Sequence, residues 1–135
     1  MSVVAIRAAL ETALAAISPA LATAAENVAY TPTPGTPYQR AAVLFARPDN
    51  QELSAAHVAQ GFMQTTLCYP TNAGPGAAST RAELIRTTFY RGRSLTPVSG
   101  VTVTVFTTPE IMPGYVDGDR YCIPVRVYFR APVGA

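Results

Sequence analysis

At 135 residues and 14.3 kDa the chain is long enough for one domain with its own core, and residues 1–135 read as a single unit. Charged residues make up 13% against 49% hydrophobic, about half the usual charged share. A monomer of this composition exposes much apolar or small-residue surface, which favours burial against other chains. The net charge of +2 is too small to argue for nucleic acid by itself.

Val3, Ile6, Leu10, Leu14, Ile17 and Leu21 recur at three- and four-residue steps, which predicts an amphipathic helix from Val3 to Ile17, ending near Ser18-Pro19. The small-residue motif Ala22-Thr23-Ala24 mimics a signal-peptidase site. There is no basic region before it, and Arg7 and Glu11 interrupt the apolar run, so the segment is read as a mature helix. Ala5, Ala8, Ala9, Thr12 and Ala16 line its other side, where small residues permit close approach of a neighbour. Glu26 to Tyr30 is read as a short strand. TPTPGTPY, residues 31–38, is too rich in proline for one and reads as a connector or an arm lying on a partner. Arg40 to Arg47 is the next strand, ended by Pro48. Pro48 to Gln60 has no strong period and reads as a long hairpin loop or a one-turn helix, the kind of segment that touches partners.

The stretch from Gly61 to Arg93 reads as strand, loop and helix. Phe62 to Tyr69 has the Thr, aromatic and branched residues of a pleated segment, and Pro70 ends it. Asn72, Gly74, Pro75 and Gly76 make the connection. Thr80 and Glu83 have the spacing of a capping box, and Gly92 stands where a left-handed C-terminal cap would. Ala78, Ala82, Ile85 and Phe89 form one apolar stripe that needs a sheet to cover. Val101 to Thr107 alternates cleanly, with Val101, Val103 and Val105 on one face. Asp117-Gly118 signals a turn. The last strand, Tyr121 to Arg130, turns Ile123, Val125, Val127 and Phe129 inward and Arg126, Tyr128 and Arg130 outward. Pro124 marks it as an edge or bulged strand. The expected fold is α+β, a mainly antiparallel sheet of about four to five strands with two helices packed on one face.

Chemistry is thinly represented. His57 is the one histidine, and no serine or cysteine pattern beside it suggests a nucleophile. One histidine with two distant cysteines does not make a metal site. Cys68 and Cys122 lie in separate strands and are read as reduced and structural, with pairing open only if the strands are adjacent. Gly74-Pro75-Gly76 lacks the lysine and spacing of a phosphate-binding loop. All ten basic residues are arginine, which suits fixed interface contacts. Arg81, Arg86, Arg91 and Arg93 follow the second helix as a possible basic stripe. A toxin-like enzyme using His57 and a nucleic-acid-binding module using that stripe are the readings from other classes.

The order of motifs resembles the tail terminator family of long-tailed, lambda-like phages. The residues that carry this are Ile6-Arg7, Leu10-Glu11 and Leu14, then Ala25-Glu26-Asn27-Val28, Thr31-Pro32 and Pro37-Tyr38. Gly61, Gln64, Tyr69-Pro70, the Gly74/Gly76 loop, Phe89 and Arg91-Gly92 follow, and Tyr121, Pro124-Val125, Val127 and Tyr128-Phe129-Arg130 close the series. The resemblance implies a structural virion protein of the tail and neck, assembled in the host cytoplasm. It implies a homo-hexameric ring that caps the tail tube and offers a surface for head–tail joining, without enzymatic activity, metal or cofactor. Its partners would be copies of itself, the tail tube protein and a head–tail connector or stopper protein, with no membrane and no specific nucleic acid, though DNA would pass through the ring. Another neck component of the same virion is the nearest alternative. Arg47, Asp49, Asn50, Gln51, Glu52, His57 and Gln60 are candidates for the tube or another partner. Arg81, Arg86, Arg126, Tyr128 and Arg130 are candidates for the contact between subunits.

Overall fold

Four-residue spacing of branched side chains places the first helix. In the computed structural model, which describes residues 2–50, 53 and 56–133, α1 spans Ser2–Ala15, and Ile6, Ala9, Leu10 and Leu14 are buried along one side. Ile17 is still buried beyond the helix end, just before the cis Ser18-Pro19 bond. Neither helix is long and apolar enough to cross a membrane.

The expected strand from Glu26 to Tyr30 does not form. A three-residue strand, β1 (Ala22–Ala24), lies upstream and pairs in parallel with the start of β2 (Tyr38–Phe45). The reason is local. Asn27 adopts a left-handed φ of 59°, which asparagine tolerates and a ladder does not. Glu26 reaches sideways instead: its carboxylate accepts hydrogen bonds from Arg7 Nη1 of α1 and, at 3.1 Å, from the Val43 backbone N–H of β2.

Two long strands form the middle of the sheet. β3 (His57–Pro70) and β7 (Arg120–Val133) run antiparallel, in register from His57 opposite Val133 to Pro70 opposite Arg120. β2 pairs antiparallel with the other side of β3, so segment 57–60, expected as loop, is strand. The short strands β4 (Thr104–Val105), β5 (Glu110–Ile111) and β6 (Tyr115–Asp117) line the far side of β7. Among the described residues the sheet therefore has seven strands, not four or five, and the β1–β2 pair makes it mixed.

The C-terminal strand is not at the edge, as its proline had suggested. Backbone N–H and C=O groups of one strand residue point to the same side. The Pro124 carbonyl accepts from Met112 N–H at 2.9 Å, so the missing donor faces away from β3. It falls in the gap between β5 and β6, where no ladder needs it. Val101–Thr107 is likewise broken up. Val103 and Val105 are fully buried as their alternation predicts, but only two residues join β7, while Ser94 bridges Thr104 and Val98 bridges Val101.

The second helix, α2 (Gly76–Thr88), begins four residues before the expected capping box. Pro75 is its N-cap, without a side-chain bond, and the Thr80 hydroxyl bonds back to the Gly76 carbonyl at 2.9 Å inside the helix. Gly92 has the left-handed φ expected of it, 91°, but lies past the actual C-cap, Phe89. Ala78, Ala82, Ile85 and Phe89 are fully buried. Residues of both helices join one core cluster with Ala59, Met63 and Leu67 of β3 and with Ile123, Val125, Val127, Phe129 and Ala131 of β7. Every strand residue of that set has the same parity. Both helices therefore cover one face of the sheet, and each fully buried Ile or Phe there contributes about 1.5–3 kcal/mol.

Candidate interaction surface

The opposite face is built from the alternate residues and divides into two regions. One end carries a second, small core of Ala24, Tyr38, Cys68 and Cys122, with Tyr30 packed against it. Arg120 is 5% exposed and closes this end: its Cζ lies 5.1 Å from the Tyr38 ring centre, while Nη2 donates to the Thr33 carbonyl at 2.7 Å and Nη1 to that of Thr36. The proline-rich segment expected as a connector or arm is thus clamped on its own subunit.

Cys68 and Cys122 are directly opposite one another, both free and buried, with sulfurs 2.8 Å apart. Burial, and then the hydrogen bond with Cys68, push the Cys122 thiol up to about 12. This holds Cys122 as a thiol, unfavourable for the thiolate that nucleophilic chemistry requires. Among the described residues no group of three or more His, Cys, Asp or Glu could hold a metal ion.

The rest of this face carries a connected array of aromatic rings and guanidinium groups, with neither helix over it. Register puts Phe62 opposite Tyr128, Gln64 opposite Arg126 and Glu110 opposite Arg126 from the other side. The Arg126 Cζ lies 4.8 Å from the Phe62 ring centre, and its Nε donates to Gln64 Oε1 at 3.0 Å. The Arg130 Cζ lies 4.6 Å from the Phe106 ring centre. Tyr128 stands between them, 5.5 Å from Phe62 and 6.4 Å from Phe106 by ring centres, and its hydroxyl donates to Glu110 Oε1 at 3.1 Å. These contacts fix long side chains in place before any partner arrives, which lowers the ordering cost of binding. A lattice of arginine and aromatic groups has the composition of a protein interface rather than of a reaction centre.

The outward alternation of Arg126, Tyr128 and Arg130 was visible in the sequence. Phe62, Gln64, Phe106 and Glu110 were missed as members, and only the strand register joins them. Phe62 and Gln64 do alternate with Met63 and Thr65, so parity alone could have flagged them. The other candidates scatter. Arg81 is 6% exposed and donates to the Pro19 carbonyl at 2.5 Å, which holds its guanidinium inside the subunit. Arg86 is exposed near the end of α2, and Arg93 donates to the Thr88 carbonyl, so no continuous basic stripe forms. Arg47, Asp49, Asn50 and Gln60 gather at the turn between β2 and β3. There Gln60 Nε2 donates to the Arg47 carbonyl at 2.9 Å and Asp49 bridges Val58. His57 opens β3, half-buried opposite Val133. Gln51 and Glu52 lie outside the described residues.

A family model described as phage tail terminator protein matches residues 5–129. A solved structure superposes with a TM-score of 0.80 at 24% identity, over 100% of this chain and 99% of its own, and so has the same fold. No curated protein matches the chain.

Proposed function

This chain belongs to the phage tail terminator family and is a structural component of a phage tail, and from that premise we propose that it forms a six-membered ring that caps the finished tail tube and presents the surface for joining the head. The observation that supports this reading is the uncovered half of the sheet, where Arg126, Tyr128, Arg130, Phe62 and Phe106 hold one another in place. The mechanism is complementary contact. Copies of the chain meet laterally, the tube protein meets one rim, and a connector or stopper protein meets the other. The turn carrying Arg47, Asp49, Asn50 and Gln60 supplies contacts to the tube. A stable contact of this kind buries roughly 1,600 Å² in total, which a subunit with an uncovered sheet face can supply without refolding.

The test is direct capping. The purified chain is added to the growing tail tube protein of the same virus, and tube lengths are measured by electron microscopy. Lengths that stop increasing, with a ring-shaped density at the tube end, are the expected result. Tubes that elongate equally with and without the chain would sink the reading.

A further inference from the structure

We propose that the uncovered sheet face receives the outer side of α1 from a second copy of this chain, with the Arg126–Arg130 array of one copy meeting Glu11 and Val4 of the next. The inference rests on the ring reading above and names the two faces that would build the ring.

The receiving face is cationic. Arg40 of β2 and Arg126 and Arg130 of β7 project on it, against the carboxylates of Glu110, which already accepts from Tyr128, and of Asp117, which lies towards Arg40. Stacking on Phe62 and Phe106 holds the Arg126 and Arg130 guanidinium groups, and neither has a carboxylate within ion-pair distance among the described residues. Such prepositioned forks suit a carboxylate ligand, because little freedom remains to be lost.

The donating face is partly apolar and carries one carboxylate, Glu11, beside Arg7, whose charge is already paired with Glu26. Val4, 62% exposed, and Glu11 recur at helical spacing on the outer side of α1 with Ala8 between them. Glu11 is exposed beside Thr23, Ala25 and Ala41 and has no ion-pair partner among the described residues. The seven helical steps from Val4 to Glu11 rise about 10 Å, while the four strand steps from Arg126 to Arg130 span about 13 Å. A helix laid along β7 therefore brings Glu11 to one guanidinium and Val4 over the aromatic rings beside the other. Within one copy α1 lies on the opposite side of the sheet from these arginines, so the two faces meet only between copies. The contact is heterologous, the kind that repeats around a ring.

Two charge reversals test this, Glu11→Arg in one chain and Arg126→Glu with Arg130→Glu in another, each compared with wild type by sedimentation across concentration. Each variant alone should self-associate at least tenfold more weakly than wild type. An equimolar mixture should recover assembly with alternating copies. At one contact the reversed helix of the first variant meets the reversed sheet of the second. At the next, the second variant's unaltered Glu11 meets the first variant's unaltered Arg126 and Arg130. That recovery also shows that both variants are folded. A wild-type ring unaffected by either reversal would overturn the faces and leave the ring. A wild-type chain that is monomeric both free and on tube ends would overturn the ring reading itself. Loss of tube capping with self-association unchanged would assign the arginine face to the tube protein and overturn the proposal.

Discussion

Glu26 shows how one side chain joins three segments of the chain. It stands in a turn, yet its carboxylate accepts from the Val43 N–H and from Arg7, tying the turn to β2 and to α1. The Val43 hydrogen bond first, and the Arg7 hydrogen bond second, hold the carboxyl below its ordinary value of 4.5. A depressed acid contributes stability that is present above its unfolded value and lost as the pH falls through its folded value. Because the side chain is 43% exposed, solvent screens the pair and the contribution is about 1 kcal/mol or less. Glu26→Gln should therefore lower unfolding stability by a fraction of that at neutral pH. The two proteins should converge as the pH falls through the carboxyl's lowered folded value, as protonation removes the charge from the wild type as well. Urea titrations across pH check this. A difference that persists unchanged into acid would mean that packing, not the carboxylate charge, is responsible.

At the scale of elements, Arg120 does for the proline-rich segment what Glu26 does for the turn. Its guanidinium packs on Tyr38 and donates to the Thr33 and Thr36 carbonyls across more than eighty residues of sequence. Hydrogen bonds from a charged donor are worth about 1.5–3 kcal/mol each when buried. Arg120→Ala should free the segment, so that chymotrypsin cuts after Tyr30 or Tyr38 at least tenfold faster than in wild type, while the Ile85–Phe89 side of the core stays protected. Equal cutting rates would show that proline stiffness alone holds the segment. None of this was legible in the sequence, where a long-range contact leaves no periodic trace. What was legible is local alternation: the buried stripe of α2, the Val103–Val105 pair, and the in–out order of Ile123 to Arg130. The strand at Ala22–Ala24 was missed because three small residues carry no pattern, and parallel pairing with β2 is a property of the assembled sheet. Pro124 misled for the same reason, since its tolerance depends on which side of the strand lacks a neighbour.

At the scale of the whole molecule, the sheet is covered by helices on one face and carries an arginine–aromatic array on the other. A subunit whose two dissimilar faces fit one another associates head to tail, and such association has only two outcomes. If the rotation between neighbours divides a full turn evenly, the last copy meets the first and growth ends. If it does not, the same contact builds an open helical filament. A terminator requires the first outcome, because a cap that polymerised would extend the structure it is meant to end. The concentrated protein should accordingly show monomer and one discrete larger species of about six copies, with no mass between that and aggregates and no filaments in negative stain. Mass spectrometry under native conditions, run beside microscopy across concentration, reads both features at once. Filaments, or a ladder of masses without an upper limit, would mean that the contact does not close, and the capping role would then have to come from the tube end rather than from the chain itself.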